Sequence, residues 1–278
     1  MTAKVIAVSS NKGGVLKTSV TTNLAGVIAN KGKRVLIIDV DSQSNVALTF
    51  GQNPDEFKYK VKHTVFDLLT ADHTSEFKLD PADAIMTVDK NIDLMATNDD
   101  MVAFEFTVLE DPNKFSFERR FFLLKEIVDE LRELYDFILI DTPPNLGLTQ
   151  GNVLTASDGI LIPFQPETYS MRSLIKILKV FREFKEDNNS MLEIIGVVPT
   201  MVKENTMIHR NVIMMLRDYG QIHGIRIARN HIPNSIQYST SVGYDERPIT
   251  ISKPKDKLSR VYFELVKELD IMRGKKNV

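Results

Sequence analysis

Apolar runs and amphipathic stretches alternate along the chain. Short runs rich in valine, isoleucine and leucine occupy Lys4–Ser9, Arg34–Asp39, Ile92–Ala96, Phe137–Asp141, Gly159–Pro163, Ile194–Pro199 and Ile225–Ile232. Most carry apolar residues at consecutive positions, the pattern of strands covered on both faces. Between them, apolar residues recur at helical spacing over Thr18–Asn30, Val65–Leu69, Phe117–Leu134, Tyr169–Asp187, Ile208–Tyr219 and Lys257–Met272. This alternation predicts an α/β fold, a doubly wound, mostly parallel sheet with helices on both faces. No internal repeat, low-complexity tract or long linker interrupts it. One domain over residues 1–278 is therefore expected, with the C-terminal helix (about 255–273) packed on it. Residues 51–63 and 107–116 are the expected surface insertions.

In such sheets ligands bind beyond the carboxyl ends of the strands. After the first apolar run comes Asn11-Lys12-Gly13-Gly14-Val15-Leu16-Lys17-Thr18-Ser19. A glycine-bearing turn between a strand and a helix turns backbone N–H groups toward one spot and suits a phosphate group. Lys17 would place a point charge on the outer phosphates, and the Thr18 hydroxyl would reach a magnesium ion. Leu16 stands where such loops usually carry glycine. If the backbone there needs a positive φ, leucine resists it at roughly 1–3 kcal/mol. Other strands end in carboxylates, Asp39 with Asp41 nearby after the second and Asp141 after Phe137-Ile138-Leu139-Ile140. Carboxylates beside a phosphate loop make a Mg·NTP site, with Asp141 holding the metal through water and Asp39 and Asp41 ordering the metal shell and the attacking water. Lys12 lies ahead of the two glycines, where folding back onto its own nucleotide is awkward. A lysine there would instead cross a dimer interface to a partner's phosphates, as a finger supplied in trans.

Composition narrows the classes. The chain has no cysteine, which excludes disulfides, thiolate zinc sites and cysteine-ligated clusters. No apolar run reaches the roughly 18–20 residues of a membrane span. The chain enters a strand almost at once, so no secretory leader is expected. Charge is uneven: Lys203–Val278 holds 14 basic and 8 acidic residues within a chain of net charge −2. Such an excess suits a polyanion-facing surface, and equally a plain solvated one. The histidines show no metal-ligand spacing. Met207, Met214 and Met215 read as core or interface filler, and the phenylalanines between Phe104 and Phe122 as packing for the long helix.

Several motifs together resemble a known family. Lys12-Gly13-Gly14-Val15-x-Lys17-Thr18, Asn23-Leu24-Ala25, Asp39-x-Asp41-x-Gln43, Asp141-x-Pro143-Pro144 and Ile162-Pro163-x-Gln165 are similar to those of the deviant Walker A P-loop ATPases of the ParA/MinD group. Thr64–Leu69, Asn145-x-Gly147, Asn152-Val153-Leu154, Pro199-Thr200-Met201 and Ile232-Pro233-Asn234-Ser235 point to its ParA side, the plasmid and chromosome partition ATPases. The resemblance implies an ATP- and Mg2+-dependent sandwich homodimer. Lys12 matches the lysine that contacts the other subunit's nucleotide. Lys17 and Thr18 match the phosphate and magnesium residues in cis, Asp41 the carboxylate needed for hydrolysis, Asp39 its companion and Asp141 the outer-sphere metal residue. Gly13, Gly14, Val15, Leu16, Ser19, Pro233 and Asn234 complete the expected nucleotide contacts. The resemblance further implies sequence-independent DNA binding by the dimer, release through a ParB-type centromere-binding protein, and a cytoplasmic, nucleoid-associated location without stable membrane insertion. An N-terminal helix-turn-helix extension is not expected.

Two residues depart from the pattern, Leu16 in the loop and Asn234, where many relatives carry arginine. Two other readings stay open. One is a membrane-cycling ATPase of the MinD type, for which 257–276 offers an apolar stripe and a basic end. The other is a nucleotide-gated DNA-binding dimer that hydrolyses ATP very slowly.

Overall fold

In the computed structural model, which describes residues 2–71 and 78–273, the apolar runs form β1 (Lys4–Val8), β2 (Val35–Asp39), β4 (Ile92–Met95), β5 (Phe137–Asp141), β6 (Gly159–Phe164) and β7 (Glu193–Pro199), joined by β3 (Ile85–Asp89). The helices are α1 (Lys17–Asn30), α2 (Asn45–Thr49), α3 (Phe57–Lys60), α4 (Val65–Thr70), α5 (Phe104–Glu110), α6 (Leu123–Leu131), α7 (Leu148–Ala156), α8 (Ser170–Asp187), α9 (Met207–His223), α10 (Gln237–Thr240), α11 (Ile249–Ser252) and α12 (Lys257–Glu268). The sheet has seven strands in the order β3-β4-β2-β5-β1-β6-β7. Every adjacent pair is parallel except the β3–β4 hairpin.

The pleat sorts side chains strictly. Ile6, Val8, Val35, Ile37 and Leu139 face a cluster with Val20, Leu24 and Ile28 of α1 and Tyr262, Leu265 and Val266 of α12. Val5, Ala7, Leu36, Ile38, Ile138 and Ile140 face the opposite cluster, built with α4 to α7. A third cluster joins β6 and β7 to α8 and α9. The central strands β1, β2 and β5 are thus buried on both faces, as consecutive apolar residues require. Their carboxyl ends open on one edge, where the phosphate loop begins. Helix α1 approaches α11 so closely that a Cβ at Gly26 would lie 2.3 Å from Thr250 Oγ1. Asn23 completes that contact, accepting the Thr250 N–H at 3.1 Å.

Several expectations are corrected. Ile225–Ile232 is not a strand; Ile227 makes only an isolated bridge to Val197. The Glu268 carboxylate takes the Asn230 N–H, the next group a ladder to β7 would have used, together with that of Arg229. The helix expected over Phe117–Leu134 is α-helical only from Leu123 to Leu131. Asn152 of α7 accepts the Leu124 N–H and donates to the Arg120 carbonyl, which takes both groups out of a continuous helix. The last helix stops at Glu268, because Asp270 adopts a positive φ. Residues 51–63 are not wholly superficial, since Phe57 is buried in the core. Phe106 and Phe117 are exposed rather than packed on the long helix, and Met207, Met214 and Met215 are exposed, which corrects the core half of the core-or-interface reading. The basic tail at 274–278 and His73 lie outside the described residues.

Candidate active site

The phosphate loop runs from the end of β1 into α1. Gly14 (φ 71°) and Leu16 (φ 68°) are both left-handed. Alternating hands around Val15 is the conformation that turns successive N–H groups to one side. Val15 is buried, and its carbonyl accepts the Thr200 hydroxyl at 3.1 Å, which pins the loop to the segment after β7. The positive φ at position 16 is met here by leucine. That conformation strains a residue with a Cβ by about 1–2 kcal/mol. The Leu16 side chain is half-buried and packs against the α1 cluster.

Lys17 opens α1. Its ammonium is buried and donates to the Lys12 carbonyl at 3.3 Å. Burial lowers its pKa, opposed by the charges of Asp141 and Asp41. One turn of helix then brings hydroxyls to the end of β5. Thr18 donates to Asp141 Oδ2 at 2.6 Å and Thr21 to Asp141 Oδ1 at 2.9 Å. Thr21 was absent from the expected site. Its spacing of three from Thr18 puts both on one helix face and was the available signal.

Asp39 and Asp141 are register partners on adjacent strands, and both are fully buried. Burial pushes the Asp141 carboxyl up to about 6, with the Thr18 and Thr21 hydrogen bonds and Lys17 pulling the other way. Burial, with Asp141 beside it, raises Asp39 as well. The Asp39 oxygens accept the N–H groups of Asp41 (3.0 Å) and Val46 (3.2 Å), so this side chain fixes the loop that carries Asp41. Asp41 is half-exposed and accepts the Gln43 N–H at 3.1 Å.

The residues present fit a magnesium ion. A hydroxyl paired with a carboxylate at the mouth of a phosphate loop is the donor set such an ion uses, its remaining ligands being water and phosphate oxygens. Among the described residues no group of three or more acidic or histidine side chains converges to make an all-protein metal cage. Beside the loop lies a pocket of about 500 Å3, whose walls include Leu16, Ser19, Leu48, Met201, Pro233 and Asn234. Pro233 and Asn234, more than 200 residues from the loop, are thereby brought to its rim. Leu48 and Met201 were not foreseen there; the positive φ of Met201 aims that turn at the pocket. Lys12 does not join this pocket. Its ammonium points to the loop after β6, where it pairs with Glu167 and bonds to Gln165 Oε1 at 3.2 Å.

A left-handed turn on a helix N-terminus at the centre of this sheet, with a strand-end aspartate bound to the first threonine, defines a P-loop ATPase. A family model for an AAA domain matches residues 3–194. The chain is 32% identical over 273 residues to the ParA family protein MG470 of Mycoplasma genitalium, covering 95% of this chain and 96% of the relative. It belongs to the ParA family. Among solved structures, it is similar to a plasmid partition protein from Borrelia burgdorferi (25% identity, 98% of each chain, TM-score 0.70). It is also similar to the cobyrinic acid a,c-diamide synthase of Mycobacterium smegmatis with bound ATP analog and magnesium (25% identity, 95% of this chain and 93% of that one, TM-score 0.77).

Proposed function

We propose that this chain, as a single ATPase domain, is the ATP-hydrolysing component of a DNA partition system. ATP is its substrate and Mg2+ its cofactor. ATP joins two copies face to face, the dimer holds DNA without sequence preference, and a ParB-type partner triggers hydrolysis and release. The observation that carries this reading is the junction of Thr18, Thr21 and Asp141 beside the loop of Gly14 and Leu16.

The proposed roles draw support from position. The loop N–H groups and the Lys17 ammonium hold the outer phosphates; the ammonium gives up the Lys12 carbonyl to do so. Thr18 and Asp141 hold the metal, directly and through water, with Asp39 in its outer surroundings. When bound, Mg2+ neutralises the charge of the outer phosphates. Asp41 orients the attacking water from a loop that Asp39 anchors. Pro233 and Asn234 line the base side of the pocket. Lys12, turned away from that pocket, serves the nucleotide of a second copy once it leaves Gln165 and Glu167.

Light scattering with and without ATP·Mg2+, beside phosphate release and a DNA gel shift, tests the reading. The mass should double with ATP, DNA retention should follow the doubling, and Lys12→Ala should abolish both. A mass unchanged by ATP would remove the sandwich dimer. The strained Leu16 favours slow turnover, so an ATP-dependent dimer that retains DNA with little phosphate release is the second reading. The same assay separates the two.

A further inference from the structure

Two lysines of the phosphate loop are engaged within their own chain. Lys17 rests on a loop carbonyl that any phosphate replaces. Lys12 is different, because its ammonium holds two acceptors on one segment, Gln165 Oε1 at 3.2 Å and the Glu167 carboxylate. That segment is stiff. The Glu167 N–H donates to the Gln165 carbonyl at 2.9 Å, and its carbonyl accepts the Ser170 N–H at 3.0 Å, so Glu167 is clamped into the turn that starts α8. Lys12 rises from a loop whose next two residues are exposed glycines. The pair stands on the wall of an open cleft of about 570 Å3 shared with Tyr169, Lys203 and Ile208. A lysine that must reach a second copy's phosphates has to leave both acceptors first.

We propose that Glu167, with Gln165, is a positioning residue that latches Lys12 onto its own chain and so sets the concentration at which ATP assembles the dimer. This rests on the reading of Lys12 as a lysine that acts in trans. The latch opposes assembly twice, since each subunit contributes one. The partners are 35% and 51% exposed in their side chains, so the pair is of the weak, solvent-screened kind. Such a pair shifts an equilibrium by about 1.5- to 5-fold. Two per dimer give about 2- to 30-fold in the concentration of half-maximal assembly.

The test is analytical ultracentrifugation over a protein dilution series in saturating AMP-PNP·Mg2+, on the full chain. Glu167→Ala should dimerise at about 2- to 30-fold lower concentration than the wild type, with Glu167→Gln in between. Binding of a fluorescent ADP, measured far below the dimerisation range, should not change. The advantage of Glu167→Ala should shrink as salt rises, because salt already loosens the latch in the wild type. Adding Glu167→Ala to Lys12→Ala should shift nothing further. If Glu167→Ala dimerises no more readily than the wild type while Lys12→Ala still fails to dimerise, the latch is wrong and the trans lysine stands. If Lys12→Ala dimerises like the wild type, both fall.

Discussion

The two ends of the central strands treat charge in opposite ways. At the amino end, Arg132 is 15% exposed in its side chain and donates to Asp129 and Asp158. It also donates to the carbonyls of Ala3 and Ala156. Asp158 in turn accepts the Val5 N–H at 2.8 Å. Nearby, the Arg34 N–H, with Lys33, holds Asp136 below the usual carboxylate range. At the carboxyl end, Asp39 and Asp141 sit side by side with Lys17 close by, and burial pushes both upward. One end saturates its charges and fastens the termini of β1, α6 and α7 to each other. The other keeps buried carboxylates short of positive charge and stores a strained loop. Unneutralised groups of this sort are costly unless a ligand completes them, which is why they gather at sites of chemistry.

The contrast breaks most easily at Arg132. Arg132→Ala should cost about 2–4 kcal/mol of stability, because it takes the guanidinium away from Asp158, which keeps the Val5 N–H, and from two carbonyls. Urea unfolding would measure this, and ATP hydrolysis per folded molecule at 25 °C should be almost unaltered. A loss below about 0.5 kcal/mol would mean that the amino-end network is ornamental and the comparison empty.

The opposite sign is expected at Asp141. Its folded-state pKa is raised from 3.8 to about 6. The folded protein therefore holds that proton more tightly than the unfolded chain. The associated stability is fully present below pH 4 and lost as pH rises through about 6. Asp141→Asn keeps an acceptor for one threonine hydroxyl, turns its amide N–H toward the other, which can accept it, and carries no charge. Without ligand it should be more stable than the wild type by about 1–3 kcal/mol at pH 7.5. The advantage should vanish at pH 4, and ATP hydrolysis should be lost. Melting curves of both proteins at the two pH values give the difference directly. A variant less stable at pH 7.5 would show that the hydrogen bonds, not the buried charge, dominate at this strand end.

Much of this was legible before any coordinates. The strands β1, β2 and β5 announce themselves because burial on both faces demands consecutive apolar residues, and Phe137–Asp141 has both its bounds as expected. The meeting of the loop, Thr18 and Asp141 was legible because the turns and residues that follow parallel strands gather at one end of the sheet. Helix α7 was not. Thr149, Gln150, Asn152 and Thr155 are buried there and each bonds to another protein group, so no amphipathic stripe marks it. The hairpin strand β3 is half-exposed and turns through Asn91 at positive φ, which leaves no long apolar run. The resting place of Lys12 was hidden for another reason. Gln165 is 153 residues away, and no local rule links two such positions.

The smallest effect, and the sharpest test of stored strain, belongs to Leu16. Glycine at this position would relieve about 1–2 kcal/mol of left-handed strain. It would also forfeit the side chain's contact with the α1 cluster and add about 0.5–1 kcal/mol of unfolded-state entropy. These terms nearly cancel, so the melting temperature of Leu16→Gly should move little. Phosphate release should rise about 2- to 10-fold, because an unstrained loop settles more readily around the phosphates. Leu16→Ala separates backbone from bulk. It keeps the Cβ and therefore the strain, yet loses the packing, so it should be the least stable of the three and no faster than the wild type. Should alanine accelerate hydrolysis as much as glycine, the brake is the volume of the side chain in the pocket wall. The carboxyl end of the sheet would then store buried charge without stored backbone strain.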